Sequence, residues 1–399
     1  MVDKKRLRIA AFGFRSVPMR EGCAGADKFA MELLPRLVAS GHKVTGYNRL
    51  YPGQKKLTDC YEGVRIKNFR TVHWKGFDTL LHSFLCTCHI IFTNDAKIVH
   101  IQNGGNSIFA PMLRLARKKV FISQDGIDWK RDKWPWYGKI FLKYITFFTA
   151  YLPNRVIFDN IFVKELFEKH YTKKNKYSHI PFGSEVPEIP EDDQIFEKLG
   201  IEKSEYFLFV GRFIPDKGVH YLISAFEKLT TTKKLVLVGG SPNPSDYSEK
   251  LLLTEDNRIV FAGYVYGDDV SRLMKYAYAY VQPSDVEGLS PVVLNVMGLG
   301  TPIICSDIRE NMYIVENDAF TFEKGNVDSL QQALEGSLNS YDKLLEKAER
   351  GKLRILTVFS WDIVTQEHET IFYRYGHGRF TPYLSRLFKT KPSSKDSKS

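Results

Sequence analysis

Two basic side chains follow the first predicted strand of the C-terminal half. That strand ends at Gly211, Arg212 comes next, and Lys217 lies five residues later, directly before a segment of helical period. The first N–H groups of a helix and its dipole attract anions, and Arg and Lys beside them suit a diphosphate. Two ordinary surface charges would leave the same pattern, so these two residues alone do not decide the interpretation.

Glycines close the next two predicted strands. Gly239 ends the strand over 234–238, and Gly263 follows the strand that contains Phe261. Glycine at a strand end lets the backbone approach a ligand closely. Phe261 and the backbone polar groups after it could hold a nucleobase, although a place in the core is equally open for Phe261.

The densest pattern begins at Glu287, which is suited to accept hydrogen bonds from sugar hydroxyls. Gly288, Leu289 and Ser290 follow, and their N–H groups could bind phosphate at the start of a helix. Asn295 lies eight residues after Glu287. About two helical turns separate them, which predicts that the two side chains share a helix face.

The sequence lacks the motifs of several classes of nucleotide-binding and metal-binding proteins. No GxxxxGK[ST] loop occurs and no GxGxxG follows the first strand, which argues against kinases, NTPases and simple dehydrogenases. The five cysteines show no zinc-ligand spacing, so free thiols and no metal are expected. No signal peptide is expected. The apolar stretches 79–94 and 140–152 are interrupted by His or Lys and predict amphipathic or core helices rather than membrane spans.

Short apolar runs alternate with segments of helical period, which is typical of βαβ units with parallel sheets. His100 lies inside one run and is interpreted as a core histidine. A stretch rich in proline, 181–193, divides the runs into two series, so we expect two Rossmann-like domains facing across a cleft. The predicted strands are 7–14, 43–47, 98–102, 120–123, 155–158, 177–180, 206–210, 234–238, 259–261, 279–282, 302–305 and 320–322.

Charge is unevenly spread over the 399 residues, whose net charge is +11. Residues 1–183 carry 32 Lys and Arg against 14 Asp and Glu, whereas residues 184–399 carry 25 against 32. The basic half predicts an anionic partner. Its segment 130–143 interleaves cations with Trp and Tyr, which suits an anionic membrane or single-stranded nucleic acid. A packed helix with a solvated basic face is the third interpretation, and no nucleic-acid-binding motif occurs.

The C-terminal motifs together resemble glycosyltransferase family 4, over roughly residues 205–325. The segments that carry the resemblance are Gly211-Arg212…Lys217-Gly218, Phe261-Ala-Gly263 and Glu287-Gly-Leu-Ser-Pro…Gly300-Thr-Pro. The N-terminal half is similar to bacterial rhamnosyltransferase-like proteins of polysaccharide assembly, through residues 12–27 and 125–134. The segment Phe359-Ser-Trp361 and its helix resemble the closing helix of the family, which crosses back onto the first domain.

The resemblance implies an α/β protein of the GT-B fold and a retaining, metal-independent hexosyltransferase that uses a nucleotide sugar and no cofactor. The implied domains are 1–183 for the acceptor, completed by the crossover helix 360–376, and 184–359 for the donor. Residues 377–399 form a basic tail. The resemblance further implies a peripheral enzyme at the cytoplasmic face of the inner membrane, acting in surface polysaccharide synthesis on a saccharide or polyprenyl-diphosphate-linked acceptor.

Carried over by residue, the resemblance implies that Arg212 and Lys217 hold the donor diphosphate and stabilise its departure. Glu287 would bind donor-sugar hydroxyls, with the backbone from Gly288 to Pro291 near phosphate and sugar. Gly22 and Gly25 would approach the diphosphate from the first domain.

Two positions leave alternatives open. Asp125 follows a first-domain strand, where it could act on the acceptor or cap a turn. Asn295 stands where the family usually has a glutamate that binds both ribose hydroxyls, and an amide lacks the bidentate anionic acceptor. One hypothesis is a deoxyribonucleotide donor such as dTDP-rhamnose. The other is a non-catalytic binding or scaffold subunit with a degraded donor site.

Overall fold

The computed structural model describes residues 6–20, 25–74, 76–124, 136–171, 174–184, 186, 189–241 and 246–376. Gly22, Asp125 and the basic tail lie outside these residues. Within them, the strands form two sheets. Contacts divide the chain into two compact units, the first holding the chain up to Ser123, Ile140–Val156 and the chain from Thr365 onward. Most of the second unit is Ile157–Val364. The boundary at residue 183 stays a prediction.

The first sheet has the strand order β3-β4-β2-β1-β5-β6-β7-β8. Its central pairs β1–β2, β1–β5, β2–β4 and β5–β6 are parallel, and β3 runs antiparallel to β4. The strands are β1 Arg8–Phe12, β2 Lys43–Leu50, β3 Cys60–Tyr61, β4 Val64–Arg70, β5 Ile98–Gln102, β6 Lys119–Gln124, β7 Arg155–Phe158 and β8 Tyr177–His179. The helices among them are α1 Gly25–Ala39, α2 Phe77–Phe92, α3 Ala110–Leu115, α4 Trp136–Tyr151 and α5 Ile161–His170.

The second sheet has the order β11-β10-β9-β12-β13-β14, and its five neighbouring pairs are all parallel. Its strands are β9 Tyr206–Arg212, β10 Lys234–Gly240, β11 Ile259–Gly263, β12 Ala279–Gln282, β13 Ile303–Ser306 and β14 Phe320–Phe322. The remaining helices are α6 Gln194–Leu199, α7 Val219–Glu227, α8 Asp246–Leu251, α9 Gly267–Lys275, α10 Pro291–Gly298, α11 Arg309–Val315, α12 Val327–Asn339, α13 Tyr341–Arg354 and α14 Trp361–Gly376.

Successive strand residues point to opposite sides of a sheet. In both sheets, buried residues on each side pack against helices. In the second unit, Leu208 packs in the cluster that includes α10, whereas Phe207 and Phe209 pack in the cluster that includes α7. In the first unit, one face meets α2 and α3. His100 lies on the other face and is fully buried against Phe372 of α14, so the prediction of a core histidine is confirmed.

All predicted strands are confirmed, and the bounds of 98–102, 155–158, 279–282 and 320–322 are those of the structure. The sequence analysis missed the β3–β4 hairpin, because β3 has only two residues and β4 alternates apolar residues with polar ones. The signal in the sequence was Gly63 between the two strands. Glu62 and Gly63 both have positive φ, as a two-residue hairpin turn requires. Among the described helices, none combines the length and the apolar character needed to cross a bilayer.

Candidate functional site

The carboxyl ends of β9 and β10 meet with their glycines side by side. Gly239 pairs with Gly211, and Gly240 pairs with Arg212. Gly239 has φ +125°, and a Cβ there would lie 1.9 Å from the Gly211 carbonyl oxygen. Only glycine fits that position, so the backbone at this edge of the sheet is bare, as close ligand approach requires.

The turn after β9 packs against the loop after β12. Gly218 has φ +65°, and a Cβ there would lie 2.0 Å from the Pro283 carbonyl oxygen. The Asp285 N–H donates to the Asp216 carbonyl oxygen at 2.9 Å. The glycine after Lys217 therefore lets the turn lie directly on the neighbouring loop, which brings Lys217 to Glu287.

Lys217 and Glu287 form an ion pair, with 2.5 Å between Nζ and Oε1. Gln282 Nε2 and Ser284 Oγ also donate to Glu287 Oε1, at 2.5 and 2.6 Å. The Glu287 side chain is only 7% exposed, and its partners offset the cost of burying a charge. Within the described residues, all three bonds converge on Oε1, which leaves Oε2 as the acceptor for a ligand.

A second row of polar residues orients this carboxylate, and the sequence analysis missed it. Tyr280 donates its hydroxyl to Gln282 Oε1 at 2.5 Å, which turns the Gln282 amide nitrogen toward Glu287. Burial, and then the charge of Glu287, raise the pKa of Tyr280 well above its usual value, so the phenol keeps its proton. Ser306 Oγ donates to the Ser284 carbonyl oxygen at 2.6 Å. The only signal was the polar Gln282 and Ser284 after an apolar strand.

Arg212 is exposed at the end of β9. The structure thus brings both predicted cations to one edge of the sheet: Arg212 faces solvent, while Lys217 is partly buried and paired with Glu287. An exposed Arg beside a fixed Lys can bind an incoming polyphosphate bidentately.

Helix α10 begins at Pro291, with Ser290 as its N-cap. Glu287 therefore lies in the loop before the helix, and the prediction that it shares a helix face with Asn295 is wrong. Gly288 is exposed, and no atom lies within 4 Å of a Cβ built on it. A shallow groove in the second unit passes this glycine. Its other lining residues are Asn160, Ile161, Phe162, Leu289, Glu310 and Tyr313.

Asn295 lies on α10 and is half-buried. Its Oδ1 accepts a hydrogen bond from Ser184 Oγ at 3.2 Å. Ser184 is itself fixed, because its N–H donates to the Phe359 carbonyl oxygen at 2.7 Å. The amide is thereby oriented by the protein before any ligand arrives.

Aromatic rings surround the ends of β10 and β11. Phe261 is half-buried and packs against Phe213, with ring centroids 6.2 Å apart, so its side chain belongs to the core. The sequence analysis missed Tyr264, whose ring lies 3.1 Å from a Cβ built on Gly240. Tyr264 follows Gly263, which is exposed with φ +66°. An exposed phenol ring next to bare backbone is suited to stack on a planar base.

In the first unit, Gly25 is the exposed first residue of α1. At the carboxyl end of β5, Gln102 is 2% exposed, and neither Nε2 nor Oε1 has a hydrogen-bond partner among the described residues. A buried amide without partners is costly. Since ligands bind at the carboxyl ends of such strands, Gln102 is a candidate ligand-binding residue that the sequence analysis missed.

Comparison with known proteins finds a family model that matches most of the second unit. Residues 191–354 match the family model described as Glycosyl transferases group 1. An uncharacterized glycosyltransferase of Methanocaldococcus jannaschii is 31% identical over 44% of this chain and 46% of its own length. A capsular polysaccharide biosynthesis glycosyltransferase of Staphylococcus aureus is 26% identical over 58% of this chain and 66% of its own. A UDP-Gal:alpha-D-GlcNAc-diphosphoundecaprenol alpha-1,3-galactosyltransferase of Escherichia coli is 28% identical over 49% and 54%.

The chain thus spans about half to two thirds of the length of these relatives. Solved structures match a far larger share of this chain. Sucrose-phosphate synthase of Thermosynechococcus elongatus superposes with a TM-score of 0.76 at 18% identity, over 92% of this chain and 99% of that one. An Anabaena protein in complex with UDP and glucose gives 0.74 at 15% identity, over 92% and 100%. Residues 191–354 are therefore similar to glycosyl transferases group 1, and the chain has the GT-B fold, with two Rossmann-like domains built on parallel sheets.

Proposed function

We propose that this protein is a retaining glycosyltransferase of surface polysaccharide synthesis. It would move a sugar from a nucleotide-diphosphate sugar to a saccharide or a polyprenyl-diphosphate-linked saccharide, at the cytoplasmic face of the membrane. The observation that carries the proposal is the Lys217–Glu287 pair beside the exposed Arg212, all within the matched segment. These residues offer cations for a diphosphate and a carboxylate for sugar hydroxyls at one edge of one sheet.

The proposed reaction breaks the bond between the anomeric carbon and the diphosphate oxygen. Arg212 and Lys217 stabilise the negative charge that develops on the departing diphosphate, which needs no metal in this scheme. Glu287 Oε2 accepts a hydrogen bond from a hydroxyl of the donor sugar and orients the ring. The acceptor hydroxyl attacks from the face that the diphosphate leaves, and the departing diphosphate takes its proton.

The relatives support the substrate classes. The name of the Escherichia coli relative gives it a UDP-sugar donor and a diphosphoundecaprenol-linked acceptor, and the Anabaena protein was crystallised with UDP and glucose. We propose a nucleotide-sugar donor and a lipid-diphosphate-linked acceptor here as well, with the donor base stacking on Tyr264.

The test is donor turnover by the full chain, followed as nucleoside diphosphate release across a panel of nucleotide sugars. We expect Arg212→Ala and Lys217→Ala each to lower the rate about 10²–10³-fold, the usual loss when one group that stabilises developing charge is removed. The matched control is Lys228→Ala, which removes an exposed lysine that pairs with Asp328 elsewhere in this unit. A donor that binds the wild type without turnover would favour the non-catalytic binding subunit instead.

For the donor nucleotide, we propose a deoxyribose, with dTDP-rhamnose as the leading example. Asn295 has one amide oxygen, already bonded to Ser184, and offers less to a ribose with two hydroxyls than a carboxylate would. Calorimetry with dTDP- and UDP-sugars checks this. We expect tighter dTDP binding in the wild type and a shift toward UDP in Asn295→Glu, and tighter UDP binding by the wild type would contradict it.

A further inference from the structure

The helices α2, α3 and α4 expose apolar side chains on their outer side. We define the apolar helical face by six of these residues, whose exposed fractions range from 38% to 86%: Phe84, Phe92, Met112, Leu115, Tyr144 and Phe147. Soluble monomers rarely leave contiguous apolar patches of this kind uncovered.

The three helices lie side by side on the same face of the first sheet. Inner residues of α2 and α3, such as Cys86 and Leu113, pack in one core cluster with Leu152, which follows α4. Arg114 Nη1 donates to the Leu152 carbonyl oxygen at 2.7 Å, which joins α3 to the end of α4. Lys118 Nζ donates to the Asn94 carbonyl oxygen at 3.0 Å, just beyond α2. Because their inner sides share one core, their outer sides form one surface.

Helix α4 shows why this surface is unusual. Ile145 and Thr149 on its inner side are buried, and the Thr149 hydroxyl bonds to the Gly104 carbonyl oxygen at 3.1 Å. Tyr144 and Phe147 lie on the outer side, 68% and 51% exposed. A helix on a protein surface normally turns polar residues outward, so exposed aromatic rings on this side of α4 are unusual.

The charges around the apolar helical face indicate which kind of partner covers it. Neither α3 nor α4 contains Asp or Glu, and exposed cations such as Arg117 and Lys143 accompany the apolar residues. The acid nearest the start of α2, Asp78, is partly buried and pairs with Arg49 at 3.4 Å. Two copies of this face would place cations opposite cations, which disfavours self-association. Aromatic residues with cations, on helices α3 and α4 that carry no Asp or Glu, match the headgroup region of an anionic bilayer.

We propose that the apolar helical face lies on an anionic lipid bilayer, with Tyr144 and the phenylalanines at headgroup level. This inference deepens the proposed function, because it presents the first unit to the membrane that would hold a lipid-linked acceptor. Binding can nevertheless be measured without donor or acceptor, so the two proposals can fail separately.

The test is co-sedimentation of the full chain with vesicles of phosphatidylcholine, alone or mixed with phosphatidylglycerol. We expect salt-sensitive binding to the anionic vesicles only, since the cations contribute electrostatically. Two double variants on different helices, Tyr144→Gln with Phe147→Gln and Phe92→Gln with Leu115→Gln, should each weaken binding about tenfold or more, because each removes two large apolar contacts.

The control is Leu353→Gln with Leu356→Gln, which changes two exposed leucines of the second unit and should bind like the wild type. Donor turnover without vesicles should be unchanged in every face variant. The inference would be overturned if the wild-type protein did not bind anionic vesicles, or if the face variants bound them like the wild type. So would a wild-type dimer that both face variants dissociate, because a second copy would then cover the face. Lost turnover with intact vesicle binding would contradict only the proposed function.

Discussion

Glu287 shows how single residues are prepared for a ligand. Three donors converge on its Oε1, so the carboxylate is oriented before a sugar binds. Pre-oriented groups cost no reorganisation when charge develops. Gln102 is the opposite case, because its buried amide has no partner among the described residues. An unsatisfied group of this kind is a cost to stability that a ligand hydroxyl could remove.

We expect Gln102→Leu to raise the free energy of unfolding by about 1–2 kcal/mol, because it removes two buried polar atoms without partners. If the amide binds an acceptor hydroxyl, transfer should fall while donor hydrolysis stays the same. Urea unfolding and both activities check this. The matched control is Gln282→Leu, which removes an amide bonded at both ends and should destabilise by about 1–3 kcal/mol. A destabilised Gln102→Leu would show that the amide is satisfied in the free protein.

At the scale of elements, two loops from non-adjacent parts of the sequence form the site. The turn after β9 and the loop after β12 meet because β9 and β12 are neighbours in the sheet. Gly218 permits their contact, since any side chain there would strike the Pro283 carbonyl oxygen. The position of Lys217 therefore depends on a glycine that makes no contact with substrate in this scheme.

We expect Gly218→Ala to separate these loops and to reduce donor turnover at least tenfold, because Lys217 would no longer reach Glu287. Gly267→Ala is the matched control. Gly267 has φ +63°, close to the +65° of Gly218, but no atom lies within 4 Å of its Cβ position. Both variants should lose about 1–2 kcal/mol from the left-handed backbone, and Gly218→Ala should lose more, because only its Cβ clashes with a backbone carbonyl oxygen. Equal turnover in the two variants would contradict the argument.

At the scale of the whole molecule, stability should depend on pH, because the first unit buries two imidazoles in its core. Burial, and then the charge of Arg49, lower the pKa of His82 to about 3. Burial, and then His368, lower the pKa of His100 to about 3. The unfolded chain protonates such imidazoles near pH 6.5. Between about pH 6.5 and 3 the unfolded state therefore binds more protons, and the free energy of unfolding falls as the pH decreases.

Each of these histidines should contribute roughly 1.4 kcal/mol of lost stability per pH unit in that range. His100→Gln can keep the hydrogen bond that His100 makes with Ser123 Oγ and should reduce the loss between pH 6.5 and pH 5 by about 1–2 kcal/mol. Urea unfolding at the two pH values measures it. The same substitution at the exposed His170 should leave that loss intact, and an unchanged loss in His100→Gln would contradict the prediction.

Much of the fold could be predicted because strands buried on both faces are nearly continuous apolar runs. The strands β5, β7, β12 and β14 were predicted to the residue for this reason. The hairpin β3–β4 was missed because β3 has only two residues and β4 alternates apolar residues with polar ones. The prediction that Glu287 and Asn295 share a helix face was wrong. Ser290 caps α10 and Pro291 begins it, which leaves Glu287 in a loop.

By itself, the sequence determined the residue types at the strand ends: Arg212 and Lys217 for an anion, Glu287 for hydroxyls, and glycines for close approach. It also determined the basic character of the first half. Only the tertiary structure decided that Lys217 and Glu287, 70 residues apart, share an ion pair, that Gln102 lacks a partner, and that α2 and α3 extend the apolar surface of α4. Each of these depends on contacts between distant segments, which local patterns of residue type do not specify.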